Sequence, residues 1–95
     1  MLPPGKELRM QEKRVTSMKE VDLSDLHMPT IAVYDSPTDF MGKCVARIFD
    51  LNKPTDTIMV KDTWEEIYED IRRNTNMAYM VRDPNDPPCL MGVWL

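Results

Sequence analysis

Apolar and polar residues alternate along this chain with two different periods, and the switch between them lays out the elements. Thr30-Ile31-Ala32-Val33-Tyr34 is a β-branched and aromatic run, led in by Met28-Pro29, and it reads as a first strand. Asp35-Ser36-Pro37-Thr38-Asp39 supplies the residues that turns favour. Residues 43–49 read as a second strand, with Cys44, Ala46 and Ile48 on one face and Val45, Arg47 and Phe49 on the other. Both faces are mostly apolar, which predicts a central position in a sheet. Residues 52–56 read as a turn, and residues 57–61 as a third strand spaced for an antiparallel hairpin with the second.

After Lys61 the period lengthens to that of a helix. Trp64, Ile67, Tyr68 and Ile71 fall on one stripe, and Glu65, Glu66, Glu69, Asp70, Arg72 and Arg73 cover the remaining surface. Asp62 or Thr63 can cap this helix, and Glu65 or Glu66 stands three residues further on to complete a capping box. Glu69 and Arg73 are placed for an i, i+4 pair. Asn74-Thr75-Asn76 ends the helix. Residues 77–82 then read as a fourth strand and residues 89–95 as a fifth, joined by a loop whose Pro84, Pro87 and Pro88 lack backbone donors. The fold class expected is α+β: an antiparallel sheet of about five strands with one amphipathic helix, in the order β-β-β-α-β-β, over a single domain at residues 28–95.

Residues 1–27 differ in kind. Between Leu8 and Val21 the apolar residues are Met10, Val15 and Met18, too sparse for a core-facing stripe, so an arm is expected that is mostly flexible or partly helical. Lys13-Arg14 just upstream of Met18 makes Met18 an alternative first residue. One helix cannot cover both faces of such a sheet, yet Val45, Phe49, Met80, Leu90, Val93 and Trp94 put apolar side chains on both. An exposed apolar surface is therefore expected to meet a protein partner, the N-terminal arm folding back, or a second copy, as a homodimer through the open face or through pairing of the last strand.

Charge and chemistry narrow this further. The chain has 95 residues and a net charge of −4. Five basic residues face three acidic ones in residues 1–20 (net +2), and seven face thirteen in residues 21–95 (net −6). So acidic a body repels phosphates, and no basic stripe with interleaved aromatics appears; nucleic acid is not an expected partner. Neither is a membrane, since no run approaches the ~20 apolar residues a spanning helix needs. Cys44 and Cys89, without a secretory signal, point to free thiols in a cytoplasmic protein. With His27 they lack the close-spaced pairs of a zinc site, and neither cysteine has a sequence-adjacent base. Gly5, Gly42 and Gly92 stand apart, so there is no phosphate loop. No cofactor, metal or catalytic residue is expected.

The segment running from Tyr34 and Asp35 to Asp39 and Phe40, two aromatics and two acids about a proline, is a candidate binding loop, and Trp94 is a further candidate contact. A short acidic chain with this layout resembles small proteins of bacterial genomes and their phages over residues 28–95, a resemblance that brings no functional residue with it. The function expected is protein–protein interaction, in its specific form as a phage or mobile-element inhibitor of a host protein. The alternative is a small metal-dependent hydrolase or nuclease using Asp35, Asp39 and Asp50.

Overall fold

In the computed structural model, which describes residues 13–81, 83–86 and 88–95, one α-helix lies against a six-stranded mixed sheet. Residues 1–12 of the expected arm, Arg82 of the expected fourth strand and Pro87 of the proline loop lie outside the described residues. The strands are β1 (Lys13–Val15), β2 (Pro29–Asp35), β3 (Cys44–Asp50), β4 (Lys53–Lys61), β5 (Tyr79–Val81) and β6 (Leu90–Trp94), and the helix, α1, is Trp64–Asn74. Across the sheet they run β1-β4-β3-β2-β6-β5. β1 is parallel to β4; every other pair is antiparallel. Among the described residues no helix is long and apolar enough to cross a membrane.

The α+β class and the single amphipathic helix are as the sequence pattern implies. Two details are corrected. The sheet has six strands instead of about five, and it is mixed, because Lys13–Val15 of the expected arm pairs with Thr57, Ile58 and Met59. The cause lies in the residues that follow. Ser17 caps a single 3-10 turn at Met18–Glu20, and the Glu20 carboxylate accepts from the Ser17 backbone N–H at 3.1 Å, a reciprocal capping box. The Met18 backbone N–H donates to Asp70 Oδ1 on α1 at 2.7 Å, and Asn74 Nδ2 donates to Ser17 Oγ at 3.3 Å. These bonds bring Val15 and Met18 into the core, where they are 3% and 1% exposed.

The helix begins where expected. Thr63 Oγ1 accepts from the Glu66 backbone N–H at 3.2 Å, while Asp62 is drawn into an ion pair with Lys43. The surface pair forms one residue earlier than anticipated, between Glu69 and Arg72 at 2.8 Å instead of with Arg73. Ile67 and Ile71 are fully buried against Ile31, Val33, Cys44, Ala46, Ile48 and Met59, which line one face of the sheet.

The opposite face is closed at its centre. Val45 and Ile58 are fully buried there and Ala32 and Leu90 nearly so. The β2–β3 connection folds over them through a 3-10 turn at Thr38–Phe40. Asp39 accepts from Arg47 at 2.9 Å, and the Arg14 guanidinium stands 4.9 Å from the centre of the Phe40 ring. The apolar character of both faces of β3 is thus satisfied largely within the chain.

Between β3 and β4 the turn is shorter than the expected residues 52–56. Asp50 pairs with Lys53, leaving Leu51 and Asn52 as a two-residue loop at φ 54° and 65°. Both values match the mirror-image turn whose twist suits a hairpin. Pro54 consequently lies within β4, opposite Phe49, where its missing donor faces away from β3 and beyond the reach of β1. Asn tolerates the left-handed conformation; leucine, with a side chain 51% exposed, gains nothing there and is strained by about 1 kcal/mol. Leu51→Asn is therefore expected to raise stability by roughly 0.5–1 kcal/mol at unchanged denaturant slope in urea unfolding. An unchanged or lower midpoint would show that the turn carries no such strain.

Candidate functional site

The most distinctive construction in the molecule starts from a glycine. Gly92 in β6 has no side chain on the helix side of the sheet, and the Tyr79 ring of neighbouring β5 occupies the space: an added Cβ would stand 2.4 Å from Tyr79 Cε1. Laid down in this way, Tyr79 meets Trp94 with ring centres 4.8 Å apart. From α1, Trp64 and Tyr68 close on the same two rings at 5.6 to 6.0 Å. Trp64 and Tyr68 are themselves 5.7 Å apart, so all four rings touch one another in tilted or edge-on geometry. Trp94 is buried at its heart, 2% exposed, and Tyr79 at its border is 37% exposed.

Beyond Tyr79 the sheet ends. Ala78 and Leu95 exchange both backbone hydrogen bonds, at 2.9 and 3.0 Å, so the alternation of an antiparallel ladder turns the Tyr79 and Val81 N–H and C=O groups away from β6. Among the described residues nothing pairs with them. The side chains along this edge are apolar: Tyr79, Met80 (50% exposed), Val81 (77%) and Leu95 (60%) make up four of the seven large hydrophobics exposed among the described residues. The opposite edge is different, since β1 presents Lys13 and Arg14, both exposed, in the manner that guards a strand against further pairing. On α1, Trp64, Glu65, Tyr68 and Glu69 line a shallow concavity of about 280 Å³, whose two aromatic residues are the ones that meet Tyr79 of β5. Glu69 is held by Arg72, whereas Glu65 has no partner among the described residues.

The residues singled out from sequence are distributed differently. Trp94 lies in the interior of the sheet, because β6 has β2 on one side and β5 on the other; the last strand is not an edge and has no free side for a second copy. Tyr34 is half-buried on the face opposite α1, and burial pushes its phenol above the ordinary range. Asp39 and Phe40 are engaged with Arg47 and Arg14. Asp35 lies at the end of β2 beside Cys44, whose thiol is 3.7 Å from the carboxylate. Burial first, and the Asp35 charge next, push the Cys44 thiol up, which keeps it protonated and a poor nucleophile.

Asp50 stands at the other end of the same hairpin. It accepts from the backbone N–H groups of Met28 at 2.8 Å and His27 at 3.0 Å, and the Met28 bond is foremost in holding its carboxyl below the usual range. The structure therefore brings Asp39 to Arg47 and Asp35 to Cys44, and it separates Asp35 from Asp50 by the length of β2, about 20 Å at a strand's rise per residue. Among the described residues no group of three His, Cys, Asp or Glu side chains is placed to hold a metal ion. Cys44 and Cys89 are free thiols.

Compared with family models, with curated proteins and with solved structures, the chain shows no significant match to any of them.

The dependence of the ring cluster on Gly92 is directly testable. Gly92→Ala is expected to expel the Tyr79 ring, reduce the near-ultraviolet circular dichroism of the aromatic cluster, and cost about 1–2 kcal/mol. In a Tyr79→Ala background the same change should cost only a few tenths of a kcal/mol, because the clash is gone. Equal costs in the two backgrounds would mean that Gly92 is needed for something other than the ring.

Proposed function

We propose that this protein is a protein-interaction module that binds by strand addition, taking an extended segment of a partner onto the outer side of β5. The observation that carries this reading is the coincidence, among the described residues, of backbone groups at Tyr79 and Val81 turned away from β6 with three exposed apolar side chains in succession, Tyr79, Met80 and Val81. Main-chain hydrogen bonds to a sheet edge supply affinity in such complexes, and alternate side chains supply selectivity. The guarded β1 edge supports the choice of β5: one molecule has blunted one end of its sheet and left the other apolar.

Val81 offers a clean test, because its N–H points outward and contributes nothing to the fold. Val81→Pro removes that donor without breaking a bond to β6 and is expected to leave the melting temperature within a few degrees of the parent. Linear peptides selected against the folded chain from a random display library should shift the Tyr79 and Val81 amide resonances, and should bind Val81→Pro at least about tenfold more weakly, the equivalent of one or more hydrogen bonds. Ligands that bind parent and variant equally would overturn strand addition at β5.

A further inference from the structure

The open edge is flanked on one side by something more specific than apolar surface. We infer that the segment received by β5 carries a lysine or arginine at the position facing α1, seated against Trp64 and Tyr68 and paired with Glu65. The inference rests on strand addition at β5 and adds the chemistry of the occupant.

An added strand lies about 4.8 Å beyond β5 and turns alternate side chains to the helix side. Those side chains come up beside Tyr79 and Val81. Tyr79 meets Tyr68 edge-on, ring centres 5.7 Å apart, and stands 6.0 Å from Trp64. Its ring, laid inward over Gly92, is thus the bridge that a long side chain from the new strand would follow toward the aromatic flank of α1. Among the described residues, the concavity there is lined by two aromatic residues and two carboxylates, Glu65 and Glu69. An aromatic surface bordered by carboxylates suits a cation on an alkyl stem: the methylenes lie along the rings, the charge meets the ring faces and the acids. Glu69 is already engaged with Arg72, which leaves Glu65 as the carboxylate with a position to fill. An acidic side chain would be repelled there, and a purely apolar one would desolvate Glu65 with no compensating partner.

A second copy fits less well. Antiparallel pairing of two β5 strands about a two-fold axis places both α1 helices on the same face of the joined sheet. It then brings Tyr79 and Val81 of one copy beside the same residues of the other, and β5 offers Glu65 no cation among its described residues Tyr79–Val81. The acidic border that welcomes a basic partner strand works against self-pairing.

The experiment compares ligands selected from a random linear-peptide library on the parent chain with their binding to Val81→Pro and Glu65→Lys. Glu65 is exposed on the first turn of α1, and unchanged far-ultraviolet circular dichroism confirms that its variant is folded. The expected ligands carry lysine or arginine at an alternate position. They lose about tenfold in affinity when that residue becomes glutamate, and the glutamate version recovers about tenfold on Glu65→Lys. Ligands that Val81→Pro abolishes, but that show no basic preference and ignore Glu65→Lys, would overturn this inference and leave strand addition standing. Ligands indifferent to Val81→Pro would overturn both. Concentration-dependent self-association in sedimentation, dissolved by Val81→Pro, would keep strand addition but replace the basic partner by a second copy.

Discussion

One eleven-residue helix has to serve a six-stranded sheet, and most of the molecule's features follow from that mismatch. The helix is about 16 Å long, and five interstrand spacings make the sheet about 24 Å wide. α1 settles over β3 and β4, where Ile67 and Ile71 complete the aliphatic core. The rest of that face is reached by side chains alone. Trp64 and Tyr68 extend from α1 toward β6, Trp94 rises to meet them, and Tyr79 lies down over Gly92 to finish the layer. Coverage stops at Tyr79, so the edge next to it stays open.

The two ends of the sheet handle exposure in opposite ways. At one end a three-residue parallel strand, tied to α1 by Met18 and Asn74, offers Lys13 and Arg14 to solvent. At the other, β5 has no charged residue over Tyr79–Val81. An exposed apolar edge invites association, and its presence opposite a guarded one is what supports the proposed reading of β5 as a binding surface. The acidic first half of α1 then gives that surface a preference of sign. On the proposed reading, the net charge of −6 over residues 21–95 gains local meaning, as a field that would favour basic partners at the open edge.

Much of the fold was legible from residue pattern, and the parts that were not have identifiable reasons. Period-2 runs located β2, β3 and β4, and the Trp64-Ile67-Tyr68-Ile71 stripe located α1, because each buries a face that its own sequence defines. β1 escaped because a three-residue strand with one buried side chain, Val15, has no period to detect; its signal was instead the Ser17-x-x-Glu20 capping box that anchors the following turn. The β3–β4 turn was misplaced because leucine is a poor marker of a left-handed position. Among the candidate contacts, Trp94 was legible as important and misread as peripheral. Whether a terminal strand is an edge depends on sheet order, which is a long-range property. The open edge itself left little trace in the expected fourth strand, residues 77–82, which has no proline or glycine and a single charge at its last position.

The most direct test is amide hydrogen exchange across β5 with and without a saturating bound peptide. In the free chain Tyr79 and Val81 amides should exchange almost unprotected while Met80, bonded to β6, is slowed; on binding, protection should rise at Tyr79 and Val81 in particular. Protection that appears elsewhere in the sheet, or Tyr79 and Val81 amides already protected in the free monomer, would contradict an open β5 edge as the binding surface.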